Sequence, residues 1–193
     1  SRLSPAMLRT AVMLHTESAF SDINDEPQFY QLDLARALLQ RFVGSLGRSQ
    51  PGAKDFAARW HALTAMLHCV RNDEPRARFA IIRGRALDAN HKYLNLLDNA
   101  LVEYRIFNFY KGNLQQAALR YREIVSRDPD FFEARLRLGR LLASTGALQN
   151  ARDELEIVAA RATSTDVAYL AHMFLASVHE RAKRDADAER EYE

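Results

Sequence analysis

Six histidines and one cysteine are the side chains of this 193-residue chain best suited to chemistry. His61 and His68 stand seven apart, and so do His172 and His179. On a helix, seven residues are two turns, about 10.5 Å of rise. A zinc ion holds each nitrogen ligand at about 2.1 Å, so neither pair can share one metal. No His-x-x-x-His or His-Glu-x-x-His spacing occurs, and these histidines read as packing or surface residues. His15-Thr16-Glu17 begins like a zinc-deaminase signature, but the paired cysteines of that signature do not follow. Cys69 is the only cysteine, which excludes an internal disulfide and a cysteine-based zinc site. His68 beside it would lie on a different face of a shared helix, so the two do not make a catalytic dyad. There is no glycine-rich phosphate loop. The expectation is therefore a non-catalytic chain with no cofactor, no metal ligand and no catalytic residue.

Arginine is the other candidate. Lysine supplies only four of the 27 basic residues, at 54, 92, 111 and 183. Arg76, Arg78, Arg83 and Arg85 form the densest stretch; Arg135, Arg137 and Arg140 form a second. Both alternate with apolar residues, as solvated helix faces do. Glu133 precedes Arg137 by four, the favourable order for a helical ion pair. Nucleic-acid binding would require a continuous basic stripe with aromatic platforms. With 27 basic and 25 acidic residues the formal charge is only +2, and no strong field selects nucleic acid or an anionic membrane.

These residues must be carried by elements, and the elements are helical. Apolar residues make up 48% of the chain, an ordinary globular share that argues against disorder. Five prolines, at 5, 27, 51, 75 and 129, each stand at the edge of an apolar-periodic segment. No long alternating segment reads as a strand, and the periodicity suggests about ten helices and no sheet. Helices are expected over 6–20, 28–46, 53–70, 74–89, 100–110, 114–127, 131–144, 147–161 and 167–183. The stretch 100–110 (ALVEYRIFNFY) is apolar almost all the way round, so it should be buried on more than one side. No apolar run approaches the roughly 18 residues of a membrane span, so membrane insertion is not expected. The chain starts at Ser1 and ends within a helical pattern, which suggests a piece of a longer protein and leaves its compartment open.

The stretch 98–163 repeats. Tyr104, Gly112, Ala117, Tyr121 and Ile124 recur 34 residues later as Leu138, Gly146, Ala151, Leu155 and Val158. A period of that length marks an array of helix–turn–helix units. A third copy starts near Val167, with Leu175-Ala176 in place of Leu138-Gly139, and Ala188 and Tyr192 matching Ala117 and Tyr121. A degenerate earlier copy has Ala65, Asn72 and Ala77 in the places of Gly139, Gly146 and Ala151.

Leu138-Gly139, Gly112, Gly146, Ala117, Ala151, Tyr121 and Pro129 resemble the pattern of the tetratricopeptide repeat family. More loosely, the chain is similar to bacterial proteins in which irregular helices precede regular repeats. The resemblance implies an all-α, right-handed solenoid of antiparallel helix pairs. Its parts would be an irregular helical pair at 1–52, a degenerate hairpin and link at 53–97, repeats at 98–131 and 132–165, and a third repeat at 166–193 that the chain does not complete. It also implies a protein-interaction scaffold that takes an extended peptide or a partner helix in a concave groove. By resemblance the groove side carries Asn99, Val102, Ile106, Phe109, Glu133, Leu136, Arg140, Ser144, Met173, Ser177, Glu180 and Arg181. A family subset grips a C-terminal carboxylate with lysine and asparagine, but Val102 and Ile106 stand where those are wanted, so that role is not carried over. Val102, Ile106 and Phe109 could instead be core, covered by the preceding helices. The alternative function is a regulatory or nucleic-acid-binding helical array that uses its arginine-rich faces. An uncapped last repeat would leave Leu175, Ala188 and Tyr192 exposed, a route to self-association.

Overall fold

The computed structural model describes residues 37, 40–41, 53–71, 73–109 and 113–192, with the side chains at 53, 70 and 107–109 excepted. Of the helices expected before residue 53, only residues 37, 40 and 41 are described, and they are helical; the turn positions Asn72 and Gly112 lie outside the described residues. Among the described residues there are eight helices and no strand: α1 (Ala53–Val70), α2 (Glu74–Leu87), α3 (Lys92–Phe109), α4 (Leu114–Arg127), α5 (Phe132–Ser144), α6 (Leu148–Arg161), α7 (Thr165–Arg181) and α8 (Asp185–Tyr192). The chain divides into two compact units, residues 1–101 and 102–193.

In the first unit, α1 and α2 form a hairpin. The Asp73 side chain accepts the Arg76 N–H, and Pro75 occupies the first turn, where its missing N–H costs nothing. Leu63, Leu67, Ile81 and Leu94 are fully buried in the core. Gly84 is a close approach: a Cβ there would meet Leu94 Cδ1 at 2.6 Å and His61 Cβ at 2.8 Å. Burial also pushes the His61 imidazole below its ordinary range. Helix α3 begins at Lys92, well before the expected 100, so the residues after α2 are an early start to the next helix.

In the second unit, Asn113 caps α4 by accepting from the Gln115 and Gln116 N–H groups. Ala117, Ala118, Tyr121 and Val125 form the buried face of α4. Between α5 and α6, Gly139 faces Leu155, and Ala151 is fully buried. Ser164 stands at the cap of α7, and its side chain makes no cap hydrogen bond. Leu175 and Ala188 are buried, not exposed as the uncapped repeat implied. Helix α8, which carries Ala188, packs against α7, with a 2.7 Å contact between Glu191 and His172 Nδ1. Tyr192 is half exposed and donates to Glu180.

Two turns have the same hydrogen bonds on different residues. After α5, Gly146 donates to the Ala143 carbonyl and Ala147 to the Leu142 carbonyl, with Gly146 at φ 85°. After α7, Lys183 donates to Glu180 and Arg184 to His179, with Lys183 at φ 57°. This left-handed conformation favours glycine because a Cβ crowds the backbone there. Lys183→Gly should therefore raise stability by up to about 1 kcal/mol, read as a higher urea midpoint with an unchanged slope. An unchanged or lower midpoint would mean that the lysine is not strained in this turn.

Candidate functional site

The first helices of the second unit are tied together by a carboxylate. Glu103 stands in α3 between the buried Leu101 and Ile106 and is itself only 1% exposed. A buried carboxylate is tolerated only when it is paired and hydrogen-bonded. The fully buried Tyr121 of α4 donates its hydroxyl to Glu103 Oε2 at 2.7 Å. Arg137 Nη1 of α5 lies 3.5 Å from the same oxygen. Arg140 of α5 donates Nη2 to Glu103 Oε1. Burial, with the Glu103 charge beside it, pushes the Tyr121 phenol far above its ordinary range, so it remains a donor. Three helices thus meet on one acid; the Arg140 side chain is 40% exposed, whereas the guanidinium end of Arg137 is buried against Glu103 and Tyr121.

The neighbouring arginines are engaged in the same way. Arg135, expected on a solvated face, is buried; it donates to Glu154 of α6 and to the Pro129 carbonyl. Arg181 of α7 donates to the Ala143 carbonyl at the end of α5. In the first unit, Arg76 pairs with Asp73, Arg78 with Glu74 and Arg85 with Asp98. The two arginine stretches are therefore mostly ion-paired rather than open basic faces.

The expected groove residues divide by exposure. Asn99, Ile106 and Leu136 are buried, and Val102 and Glu133 are half-buried. The Phe109 side chain lies outside the described residues. Arg140 is partly exposed and bound to Glu103. Ser144, Ser177, Glu180 and Arg181 are exposed, and Met173 is 38% exposed. The Ser144 hydroxyl donates to the Arg140 carbonyl. Tyr169, 62% exposed, joins Met173, Ser177 and Glu180 on one row of α7, a position the sequence reading missed. These residues are spaced by three and four, so they share a helix face. The opposite face, Ala171, Leu175 and Val178, is buried.

Glu103, the acceptor of the Tyr121 hydroxyl, was also missed. A signal existed: Glu103 is the only acid in ALVEYRIFNFY, and an acid in a helix apolar almost all the way round calls for cationic or hydroxyl partners. Arg137 was assigned to Glu133 by local spacing, whereas it reaches Glu103 on another helix. Among the described residues, no three His, Cys, Asp or Glu side chains are grouped as a metal site would need. No described helix is long and apolar enough to cross a membrane.

Residues 109–173 match the family model described as tetratricopeptide repeat. No curated protein matches the sequence. Among solved structures, the fold is similar to that of a MamA mutant at a TM-score of 0.52 and 15% identity, covering 97% of this chain and 93% of that one. A MamA RS-1 double mutant gives a TM-score of 0.52 at 14% identity, over 83% of this chain and 81% of that one. MamA AMB-1 gives 0.50 at 14% identity, over 93% and 94%. Identities this low speak for the fold alone. The repeat spacing, the helical hairpins and the family match agree: this chain carries tetratricopeptide repeats, over residues 109–173, within an all-helical fold of the kind seen in MamA.

Proposed function

We propose that the second unit is a non-catalytic scaffold that binds an extended peptide or a partner helix along α5 and α7. The observation that carries this reading is the exposed row Tyr169, Met173, Ser177 and Glu180 on α7, beside Ser144 and Arg140 of α5. Arg181 holds the two helices together through the Ala143 carbonyl. The row mixes an aromatic ring, a thioether, hydroxyls and both charges. Such a surface suits a ligand held over its length by hydrogen bonds and charge pairs, whereas a small molecule wants an enclosed, mostly apolar pocket. In this reading the repeats run over 98–131, 132–165 and 166–193.

The test is to select displayed peptides against the protein and then block the face. Ser144→Trp and Ser177→Trp place bulk on the proposed surface without removing a buried contact, since both serines are exposed. Ala160→Trp is the control on exposed α6 surface. We expect each serine variant to weaken the selected peptide by about tenfold or more, as loss of a central contact does, with Ala160→Trp unchanged. If the serine variants bind normally, or no peptide is selected, this face is not the binding surface.

A further inference from the structure

We infer that the first unit is an acid-sensitive switch: α1, α2 and the start of α3 pack tightly while His61 and His91 are neutral, and loosen when both rings take up protons. The inference concerns residues that the proposed binding face does not use.

Leu63 and Leu67 of α1, Ile81 of α2 and Leu94 of α3 lie in one buried cluster. His61 stands beside it, where α2 comes closest: a Cβ on Gly84 would meet His61 Cβ at 2.8 Å and Leu94 Cδ1 at 2.6 Å. The Trp60 ring lies edge-on to the His61 ring, with 4.8 Å between centroids. The His61 Nδ1 atom is buried and has no hydrogen-bond partner among the described residues. His91, between α2 and α3, is almost wholly buried, and its Nδ1 is in the same state. A neutral imidazole can keep its proton on the other ring nitrogen, whereas an imidazolium donates from both. Charging either ring therefore buries a charge together with an N–H that has no acceptor in place.

The surrounding charges do not offset that cost. Among the described residues, the charge acting on His61 is that of Arg83 on α2, a like charge, and Leu94 of α3 is apolar. His91 faces two acids, Asp88 after α2 and Asp55 of α1, and two bases, Arg59 of α1 and Lys92 of α3. Asp55 is itself paired with Arg59 at 3.1 Å. Burial first, and for His61 the Arg83 charge second, hold both imidazoles below their ordinary 6.5. The unfolded chain then takes up protons before the folded one does. The stabilisation is complete above about pH 6.5 and is lost as the pH falls through the folded-state values. The other described imidazoles face carboxylates, which suit a charge. His68 lies 3.8 Å from Asp73, His172 2.7 Å from Glu191 and His179 4.0 Å from Asp187.

Trp60 is the only tryptophan, so its fluorescence reports the first unit during urea unfolding of the whole chain. We expect its midpoint to fall between about pH 7.5 and about pH 5.5, where carboxylates are still ionised. The double variant His61→Gln with His91→Gln has no titrating ring at either place, and its midpoint should be nearly the same at both pH values. Proton NMR of the wild-type imidazole rings is the second measurement and depends on no variant. His61 and His91 should titrate below 6.5. Arg83→Gln, a change at an exposed residue, should move His61 back toward 6.5 and leave His91 in place. A wild-type midpoint that does not fall, an equal fall in the double variant, or either ring titrating at or above 6.5 would overturn the inference. So would a His61 titration that ignores Arg83→Gln.

Discussion

Gly139→Leu should cost about 3 kcal/mol of stability, at or above the upper end of what overpacking a core usually does. A Cβ at this position would lie 2.6 Å from Leu155 Cγ and 2.7 Å from Leu155 Cδ2, and 3.4 Å from the Ala151 carbonyl oxygen. Distances under 3 Å require something to move. Leu155 and Ala151 are both fully buried, so Leu155 has no solvent to swing into. Either α5 and α6 separate or Leu155 leaves its rotamer, and both disturb a close contact of this hairpin. Urea denaturation would read the effect as a lower midpoint with the slope retained. A companion measurement locates the clash: in a Leu155→Ala background the penalty of Gly139→Ala should shrink, because the atoms that collide have been removed. A Gly139→Leu midpoint equal to wild type would mean that α5 and α6 do not pack as described.

Glu103→Ala should also cost about 3 kcal/mol, the lower end for breaking a buried ionic cluster by removing one member. The loss has two parts. Tyr121 is fully buried, and without Glu103 its hydroxyl loses the acceptor it now has. A buried polar group in that state costs about 1–3 kcal/mol. The tie from α5 to α3 through Arg140 is lost as well. Arg140 adds less than a fully buried cation would, because water reaches 40% of its side chain, whereas the guanidinium end of Arg137 is buried and loses its counter-charge. Arg137→Met, which leaves the acid with two donors, should be much milder in stability. The ordering of the two midpoints is the check. A Glu103→Ala protein as stable as wild type would show that the acid does not organise this unit.

Much of the architecture was legible because helices report local rules. Spacing of apolar residues, a glycine at the left-handed turn of Gly146, and alanines at Ala117 and Ala151 each follow from backbone geometry and helix radius. Helices α4, α5 and α6 accordingly lie within a residue of the expected ranges. Lys183 shows the limit of such rules: its turn has the conformation of Gly146 without the residue that announces it. Gly84 shows another limit, since its close neighbours Leu94 and His61 belong to two other helices.

The groove residues show where helical periodicity stops being informative. It places Ile106, Leu136 and Arg140 on faces, but whether a face meets water or a neighbouring helix depends on what packs there. Ile106 and Leu136 are buried, while Tyr169 is open. The Glu103 cluster depends on this even more. Tyr121 is 18 residues from Glu103 and Arg140 is 37, so no local spacing connects them. Arg137 had a nearby acid at the right helical interval, and the packed chain directs it to Glu103 instead. The reason is desolvation: burying Glu103 is very costly until donors from other helices reach it, and only the folded unit brings those donors within range. Sequence alone thus determined the helices, their turns and the close contacts of the repeat. The tertiary structure decided which charges meet inside the unit, and therefore which arginines are held at its surface.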